Sequence, residues 1–141
     1  SITTRGLSPT TPRDSLMQNA MFDNTVRTLS ATLDYSLRRH KVIAANMANV
    51  ETPNFKARDL PFNAYLTAGL RRVENDPSAA AAFQQPRLVF DTTGETRLDG
   101  NNVNAENEMI KLMKNSGRHS LAVDLIKYKF STLREAIRPS R

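Results

Sequence analysis

The sequence predicts a mainly α-helical protein in which two long helices, one toward each end of the chain, pack as a coiled-coil-like hairpin. Residues 22–50 and 109–137 both carry apolar side chains at alternating spacings of three and four, the pattern of a helix with one apolar face. The segment between them lacks this period. The apolar fraction is 39%, below the roughly 45–50% of typical globular domains, so little apolar material remains for a second core.

Residues 1–22 are predicted to form a flexible N-terminal extension, because they are polar and rich in Ser, Thr and Pro. They also lack the continuous apolar core of a cleavable secretory signal. Ser15 to Ala20 could join the helix behind them once the chain is part of an assembly.

The N-terminal helix is predicted over residues 23–51. Asp23 is an acceptable N-cap, and Thr52-Pro53 ends the helix because the residue before a proline is pushed out of the α region. We call the line of apolar and interrupting positions along each long helix its seam. The apolar members of this first seam are Phe22, Val26, Leu29, Leu33, Ile43, Met47 and Val50.

Residues 52–104 are predicted to form a structured loop and a small irregular insertion. Pro61 to Val73 has the spacing of a short amphipathic helix, and Ser78 to Gln85 that of a helical turn or a flexible link. Leu88–Phe90 and Thr96–Leu98 flank a turn-forming stretch and resemble a small β-hairpin. The insertion is too small and too polar for an independent fold.

The C-terminal helix is predicted over residues 105–138, on the order of 50 Å long at 1.5 Å per residue. Asn104 is a plausible N-cap, acidic residues occupy the first turns and basic residues the last, as the helix dipole favours. Pro139 stops the helix. The apolar members of this second seam are Met109, Leu112, Val123, Ile126, Phe130, Leu133 and Ile137.

The two seams allow two interpretations, and periodicity alone favours neither. Both stripes could form the core of a small monomeric bundle, or part of them could be buried against other chains. The lean composition favours the second, because a pair of helices leaves much of each one uncovered and helix propensity contributes only tenths of a kcal/mol per residue. We therefore predict that the seams form a helix-packing and subunit interface.

Each seam is interrupted by one serine and one histidine, Ser36 with His40 and Ser116 with His119. In an antiparallel hairpin these four side chains could form a shared polar layer that fixes the register of the helices. In the alternative, which the sequence favours, both histidines face solvent or an adjacent subunit.

Several functional classes are disfavoured by composition. The net charge is +6, but the basic residues are spread among the acids, so we expect no nucleic-acid partner; a basic helical nucleic-acid-binding protein remains the alternative function. The chain has no cysteine, and its nucleophiles, carboxylates and histidines do not converge by spacing. We expect neither an enzyme nor a cofactor nor a metal site. No stretch approaches the roughly 20 apolar residues of a membrane span.

A distinctive run of residues closes the first helix and continues into the loop. Ala45 and Ala48 are small enough to let another helix approach closely, while Asn46 and Asn49 lie on one face and can hydrogen-bond across it. The following loop contains a residue, Asn54, that tolerates the left-handed conformation. Arg58 and Asp59 could brace the loop by a charge-assisted pair. The motif residues are Ala45, Asn46, Ala48, Asn49, Thr52, Pro53, Phe55, Lys56, Arg58 and Asp59.

This run resembles the signature of bacterial flagellar basal-body rod proteins, and its Thr-Pro followed by Arg-Asp resembles the proximal-rod proteins of the B type. A second match, Asp99-Gly100-Asn101, precedes the C-terminal helix. The resemblance spans about residues 22 to 138 and is weakest in the middle insertion. The family commonly has glycine where Asn54 stands and tyrosine where Phe55 stands, and the residues before Met21 exceed what such proteins usually carry.

The resemblance implies a structural subunit of the proximal rod, in which terminal helices from many copies form the drive shaft and the wall of the export channel. It implies a location in the flagellar basal body within the periplasmic space, reached without a cleaved signal peptide. The implied partners are copies of the chain itself, other proximal rod subunits, the adaptor protein at the rod base, the membrane-embedded ring protein and the flagellar type III export apparatus.

Overall fold

The computed structural model describes residues 11–75 and 87–137. Within these ranges the elements follow the order α1 (Pro12–Ala48), β1 (Arg58–Asp59), α2 (Phe62–Asn75), β2 (Val89–Phe90) and α3 (Ala105–Ile137). The long helices α1 and α3 pack together, and the segment between them holds a short helix and a two-stranded sheet. The predicted fold class is therefore confirmed. The turn or link expected over 78–85 lies outside the described residues.

The first helix begins at Pro12 rather than at the expected Asp23. Proline suits the first helical position because its fixed φ matches the helix and its missing N–H has no partner to lose there. The Thr11 hydroxyl donates a hydrogen bond to the Asp14 carboxylate at 2.7 Å, and the Asp14 amide donates to the Thr11 carbonyl at 2.9 Å. The expected flexible extension is thus wrong from Pro12 onward; residues 1–10 lie outside the described part.

The other end of α1 and both ends of α3 lie close to the predicted boundaries. α1 ends at Ala48, and residues 49–54 form the turns that were expected only after residue 51. α3 spans Ala105–Ile137, which matches the predicted helix up to the last described residue.

Three contacts show that α1 and α3 run antiparallel. The rings of Phe22 and Phe130 meet edge to face, with centroids 6.3 Å apart. Farther along, the Asn115 side chain donates a hydrogen bond to the Ser36 carbonyl at 2.7 Å. Nearer the connecting loops, the Asn46 amide donates to the Glu108 carboxylate at 3.2 Å. Rising numbers in α1 meet falling numbers in α3, so the helices form a hairpin.

Helix α2 packs against one side of this hairpin through aromatic rings. The Tyr35 ring lies 4.9 Å from Phe62 and 5.3 Å from Tyr65 between centroids, and its hydroxyl donates to the Leu60 carbonyl. The Arg118 guanidinium of α3 lies over the Phe62 ring at 4.6 Å. Burial raises the pKa of Tyr35 to about 12. One aromatic cluster therefore joins α2 to both long helices.

The short strands pair differently from the hairpin that the sequence suggested. Val89–Phe90 forms β2 as expected, but its antiparallel partner is β1, with Arg58 opposite Phe90 and Asp59 opposite Val89. The Asp91 amide extends this pairing by donating to the Ala57 carbonyl at 2.9 Å. The expected pairing with Thr96–Leu98 is wrong, because long-range contacts hold the chain after Phe90 against the loop that follows α1.

The buried residues concentrate at the end of the hairpin where the loops meet. Half of them are polar, which is unusual because polar groups are costly to bury unless they are hydrogen-bonded. They are Tyr35, Ile43, Ala57, Leu60, Val103 and Ala122 among the apolar residues, and Ser36, Asn46, Asn101, Asn102, Glu108 and Asn115 among the polar ones. We call this end the base of the hairpin and the opposite end, residues 12–31 and 120–137, its open half. In the part of the chain that the structure describes, no helix is long and apolar enough to cross a bilayer.

Candidate assembly surface

The side chain of Asn46 joins the end of α1 to β1 by mimicking a neighbouring strand. Its amide donates to the Arg58 carbonyl at 2.7 Å, and its carbonyl accepts the Arg58 amide at 3.1 Å. Since the Ala57 carbonyl is used by Asp91 on the β2 side, Asn46 occupies the other edge of β1. The side chain is 1% exposed. An amide is the one side-chain group that can both donate to and accept from a backbone in this way.

A second buried amide, Asn101, binds two carbonyl groups in the turns that follow α1. Its Nδ2 donates to the carbonyls of Asn49 at 2.9 Å and Thr52 at 2.8 Å, while its Oδ1 accepts the Val103 amide at 2.7 Å. Both carbonyls also accept a backbone amide, Asn49 from Thr52 at 3.0 Å and Thr52 from Phe55 at 3.3 Å. Asn101 fills their remaining acceptor positions, although it stands 49 residues or more away along the chain.

The two motifs of the sequence interlock at this point. Asn54 and Gly100 both adopt left-handed backbone, with φ of 61° and 83°, and the Asn54 amide donates to the Asp99 carbonyl at 2.8 Å. A Cβ on Gly100 would lie 2.4 Å from the Asn54 Oδ1, so only glycine fits there. Asn102 adds bonds to the Ala57 amide at 2.7 Å and the Asp91 carbonyl at 2.9 Å. We call these amide contacts, with those of Asn46 and Asn101, the amide junction.

A cluster of charges surrounds the amide junction. Asp59 accepts two hydrogen bonds from Arg39, both at 3.0 Å, in the bidentate geometry that is strongest for this pair. Lys111 contacts Glu108 at 3.2 Å, Asp59 at 3.9 Å and also Asp91. The expected Arg58–Asp59 pair is wrong, because Arg39 holds the carboxylate; the Arg58 guanidinium instead lies over the Phe90 ring at 5.4 Å from its centroid.

The charge cluster shifts two pKa values. Burial alone would raise the pKa of Asp91, but hydrogen bonds from Lys111 and from the hydroxyl and amide of Thr93 outweigh it and lower the pKa to about 2. Burial alone would lower the pKa of Lys111, and its hydrogen bond to Asp91 with the charges of Glu108 and Asp59 raises it instead. Both shifts favour the charged forms.

The Asp91 shift predicts a specific loss of stability in acid. Its carboxyl binds a proton more weakly in the folded chain, so the stabilisation is complete above the ordinary pKa near 4 and is lost as pH falls toward 2. At 1.36 kcal/mol per pKa unit this amounts to about 2 kcal/mol. We expect urea unfolding of the chain to show this loss between pH 5 and pH 2, and Asp91→Asn to reduce it. An equal acid loss in both proteins would contradict the assignment.

The seam residues of α1 are more deeply buried within the chain than those of α3, and their role as a subunit interface stays a prediction. Ile43 is buried and the other apolar members of the first seam are half-buried. In α3 the fully buried side chains are Glu108, Asn115 and Ala122, spaced seven residues apart. Leu112, Val123 and Ile126 flank this line and are half-buried. The four remaining members of the second seam, Met109, Phe130, Leu133 and Ile137, are exposed.

The sequence reasoning missed the buried line of α3 because two of its three members are polar. A search for apolar residues at helical spacing passes over Glu108 and Asn115. Their spacing of seven residues is the one sequence signal that could have indicated a buried line. Each is buried with a partner across the hairpin: Glu108 accepts from Asn46 of α1, in addition to Lys111 of its own helix, and Asn115 donates to the Ser36 carbonyl.

Among the small residues of the first motif, Ala45 and Ala48 are exposed. No helix within the described residues covers them, and the close approach of a helix to this face stays a prediction. Phe55 is half-buried, while Thr52, Pro53 and Lys56 are exposed, with the Lys56 ammonium donating to the Gly100 carbonyl. The motif therefore combines a buried junction with an open helix surface.

The two serine–histidine interruptions meet across the hairpin. Ser36, His40, Ser116 and His119 line one cavity of about 240 Å³ between α1 and α3, together with Leu37 and Asn115. The four thus lie together, as in the interpretation of a shared polar layer, while His40 is exposed at the rim, as in the alternative. Among the described residues, Ser36 Oγ and Asn115 Oδ1 are buried without a hydrogen-bond partner, as is Arg118 Nη1. We call this space the serine–histidine cavity.

The side of α3 that points away from the buried line carries five large apolar side chains that are uncovered, with exposed Lys114 and Asp124 among them. At about 100° per residue, its members fall within roughly a third of the helix circumference, opposite Glu108, Asn115 and Ala122. Gly117 lies in the middle of the stripe, and a Cβ there would meet nothing within 4 Å. We call this stripe the outer face; its apolar members are Ile110, Met113, Leu121, Leu125 and Tyr128, each 43–71% exposed.

Comparison with known proteins finds similar chains in distant bacteria. The chain is 31% identical over 109 residues to the flagellar basal body rod protein FlgB of Aquifex aeolicus (strain VF5), covering 75% of this chain and 86% of the relative. It is 28% identical over 129 residues to the protein of that name from Bacillus subtilis (strain 168), covering 84% and 96%, and 25% identical over 118 residues to that from Escherichia coli (strain K12), covering 74% and 86%. No family model matches the chain.

Proposed function

The chain belongs to the flagellar basal body rod protein FlgB family and is a structural subunit of the rod, and from this we propose that it polymerises through its two terminal helices in the proximal part of the rod. In this proposal, helices from successive copies form both the drive shaft and the wall of the export channel. Its role is to transmit torque by packing, so we propose that it is not an enzyme and needs no cofactor.

One observation carries the proposal: the open half of the hairpin leaves its large apolar side chains uncovered. Burying apolar surface contributes roughly 25 cal/mol of free energy for each Å² that is removed from water. A group of exposed apolar side chains of this kind marks an interaction surface. The exposed large apolar residues of this half are Leu16, Met17, Met21, Leu121, Leu125, Tyr128, Phe130, Leu133 and Ile137. Neighbouring subunits that bury them complete the packing that two helices cannot complete alone.

The base of the hairpin supports the mechanical part of the proposal. There the amide junction and the charge cluster tie α1, α3 and both strands together through directional bonds, including the bidentate Arg39–Asp59 pair. Hydrogen bonds between buried groups resist sliding, because every displacement leaves a polar atom unpaired. A torque applied to one helix is thereby passed to the other.

We propose that the partners are copies of this chain, other proximal rod subunits, the rod-base adaptor protein, the membrane-embedded ring protein and the flagellar type III export apparatus. Several unlike neighbours require several separate surfaces. The chain offers the open half, which shares its α3 end with the outer face, and a separate apolar patch at β2, where Leu88, Val89 and Phe90 are exposed beside Arg58. We place the assembled chain in the periplasmic segment of the rod, reached without a cleaved signal peptide.

The function is tested in the bacterium that encodes this chain, with its gene deleted. We expect the deletion strain to lose swimming and a plasmid copy of the chain to restore it, because a rod without one of its structural subunits cannot carry the filament. Isolated basal bodies from the restored strain should contain the full-length chain by mass spectrometry. Normal swimming in the deletion strain, or restored swimming with no chain in the basal bodies, would contradict the proposal.

A further inference from the structure

The serine–histidine cavity is a built site with unmet hydrogen-bonding demand. Asn115 uses its amide nitrogen on the Ser36 carbonyl, so its Oδ1 can only accept a bond from something entering the cavity. Ser36 Oγ, also buried, is free to donate or accept. Both residues are 2% exposed. Leaving such buried groups unpaired is unfavourable, which favours an occupant that carries a hydroxyl donor.

The cavity opens to the surface, and its walls suit a ring. Leu37 lines it and is 56% exposed, and His40 and Ser116 are also exposed at its rim. Water alone could fill about 240 Å³, since each molecule takes about 30 Å³, but it would leave Leu37 exposed. An aromatic ring with a polar tip would cover Leu37 and also reach the buried acceptor.

Tyr128 carries the matching chemistry on the outer face of α3. Of the three tyrosines in the chain, Tyr35 is buried and Tyr65 is stacked on it, whereas Tyr128 is 68% exposed. It cannot reach the cavity of its own molecule. It stands nine residues beyond His119, about 13 Å along the helix at 1.5 Å per residue, and on the opposite side of α3.

We propose that Tyr128 of one copy inserts into the serine–histidine cavity of a second copy, where its hydroxyl donates to Asn115 Oδ1 and accepts from Ser36 Oγ. This inference rests on the proposed function and names the contact between neighbouring copies. The ring replaces solvent over Leu37, and the two unpaired buried atoms gain partners. Tyrosine is among the residues that dominate protein interfaces for this combination of apolar area and polar tip.

The size of the outer face fits this occupant. At roughly 150–250 Å² for a large side chain, the exposed fractions of its five apolar members amount to roughly 500 Å². Flanking residues bring the contact toward the roughly 800 Å² per partner of a stable interface. Lys114 and Asp124, both exposed on the same side of the helix, carry opposite charges, and Gly117 lets the neighbouring backbone approach closely.

The contact joins two different surfaces of the same chain, which has a consequence for assembly. Such a contact is heterologous: each copy offers Tyr128 to one neighbour and its cavity to another. Contacts of this type propagate into rings or open helical filaments rather than closing as dimers. A repeated Tyr128-to-cavity contact is therefore compatible with a rod built from many copies.

Disulfide cross-linking tests the contact directly, because the native chain has no cysteine. Tyr128→Cys and Leu37→Cys are expressed together in the deletion strain, and basal bodies are analysed on a non-reducing gel. We expect a dimer band at least ten times stronger than the band from a control pair, Tyr128→Cys with Ala45→Cys. Ala45 is also exposed but lies outside the cavity. Each variant alone should give no dimer, as a heterologous contact requires.

Two conservative variants test the hydrogen bonds. We expect Tyr128→Phe and Ser36→Ala each to lower the urea concentration that releases the chain from isolated basal bodies, and the double variant to lower it no further than one alone. The stability of the free Ser36→Ala chain should not fall, because this hydroxyl has no partner there.

Equal dimer yields from the two cysteine pairs, or unchanged release by both conservative variants, would mean that water alone fills the cavity. If the native chain is present in basal bodies and supports swimming, that result overturns the contact and leaves the proposed function standing.

Discussion

Replacing Leu121 by aspartate is expected to abolish swimming while leaving the chain folded. Leu121 is 60% exposed on the outer face of α3, so the carboxylate stays hydrated in the free chain and should change its stability by less than about 0.5 kcal/mol. In the proposed packing of the rod, the same position is buried against a neighbour. An unpaired charge buried there costs several kcal/mol per subunit, and every copy in the rod carries the change.

The measurement is the swimming diameter in soft agar of the deletion strain that carries the Leu121→Asp chain, together with the amount of chain in its basal bodies. Ser120→Asp is the matched control, because it adds the same charge at the adjacent exposed position, away from the centre of the apolar stripe. We expect the control to swim and the Leu121 variant not to swim. Normal swimming by the Leu121 variant would show that the outer face stays in water, and the packing proposal would then lose its main support.

The sequence was sufficient for the elements whose signals are local. α3 could be placed within a residue or two because a cap, a dipole-matched charge pattern and a terminating proline all indicate the same helix. The start of α1 could not, since the seam begins only at Phe22 and residues 12–21 mix proline, serine and charged residues with a few apolar ones. They are helical because a helix that is already nucleated extends at little cost, and because Pro12 suits a first turn.

The site was less predictable, because its buried parts are polar and its contacts are distant in sequence. Asn46 pairs with Arg58 and Glu108, and Asn101 with Asn49; none of these pairs follows from a period. The strand pairing failed for the same reason. The rule that neighbouring strands form a hairpin paired residues 88–90 with residues 96–98. In the structure, hydrogen bonds of Asn102 and Asp91 instead hold the segment after Phe90 to the loop that follows α1.

The exposed seam members of α3 show how function limits what periodicity can reveal. Phe130 and Leu133 fit a helical seam in sequence, yet both remain exposed in the isolated chain. A pattern of apolar residues records every surface that is buried in the working assembly, but it does not say which of those surfaces the chain buries by itself. Glu108 and Asn115 mark a surface that the chain buries by itself, because their hydrogen-bond partners lie within the same molecule.

Among changes at the base of the hairpin, Asn101→Leu is expected to have the largest effect on the fold. The substitution keeps the size of the side chain, but it removes one of the two hydrogen bonds that the Asn49 and Thr52 carbonyls each accept and leaves the Val103 amide without a partner, in a site that is 0% exposed. A buried amide left unpaired costs about 1–3 kcal/mol, and each further hydrogen bond lost costs about 0.5–1.5 kcal/mol. Since a typical domain is stable by only about 5–15 kcal/mol, a loss of about 4 kcal/mol should separate α1 from the segment that precedes α3.

Urea unfolding followed by circular dichroism measures this loss, with Asn104→Ala as the matched control. Asn104 is exposed and accepts a single bond, from the Asn107 amide at 3.1 Å, so removing this helix cap should cost only about 1 kcal/mol. The two asparagines stand three residues apart but differ in burial and in the number of groups they hold. Equal losses from the two variants would mean that ordinary capping accounts for both, and that the amide junction does not hold the hairpin together.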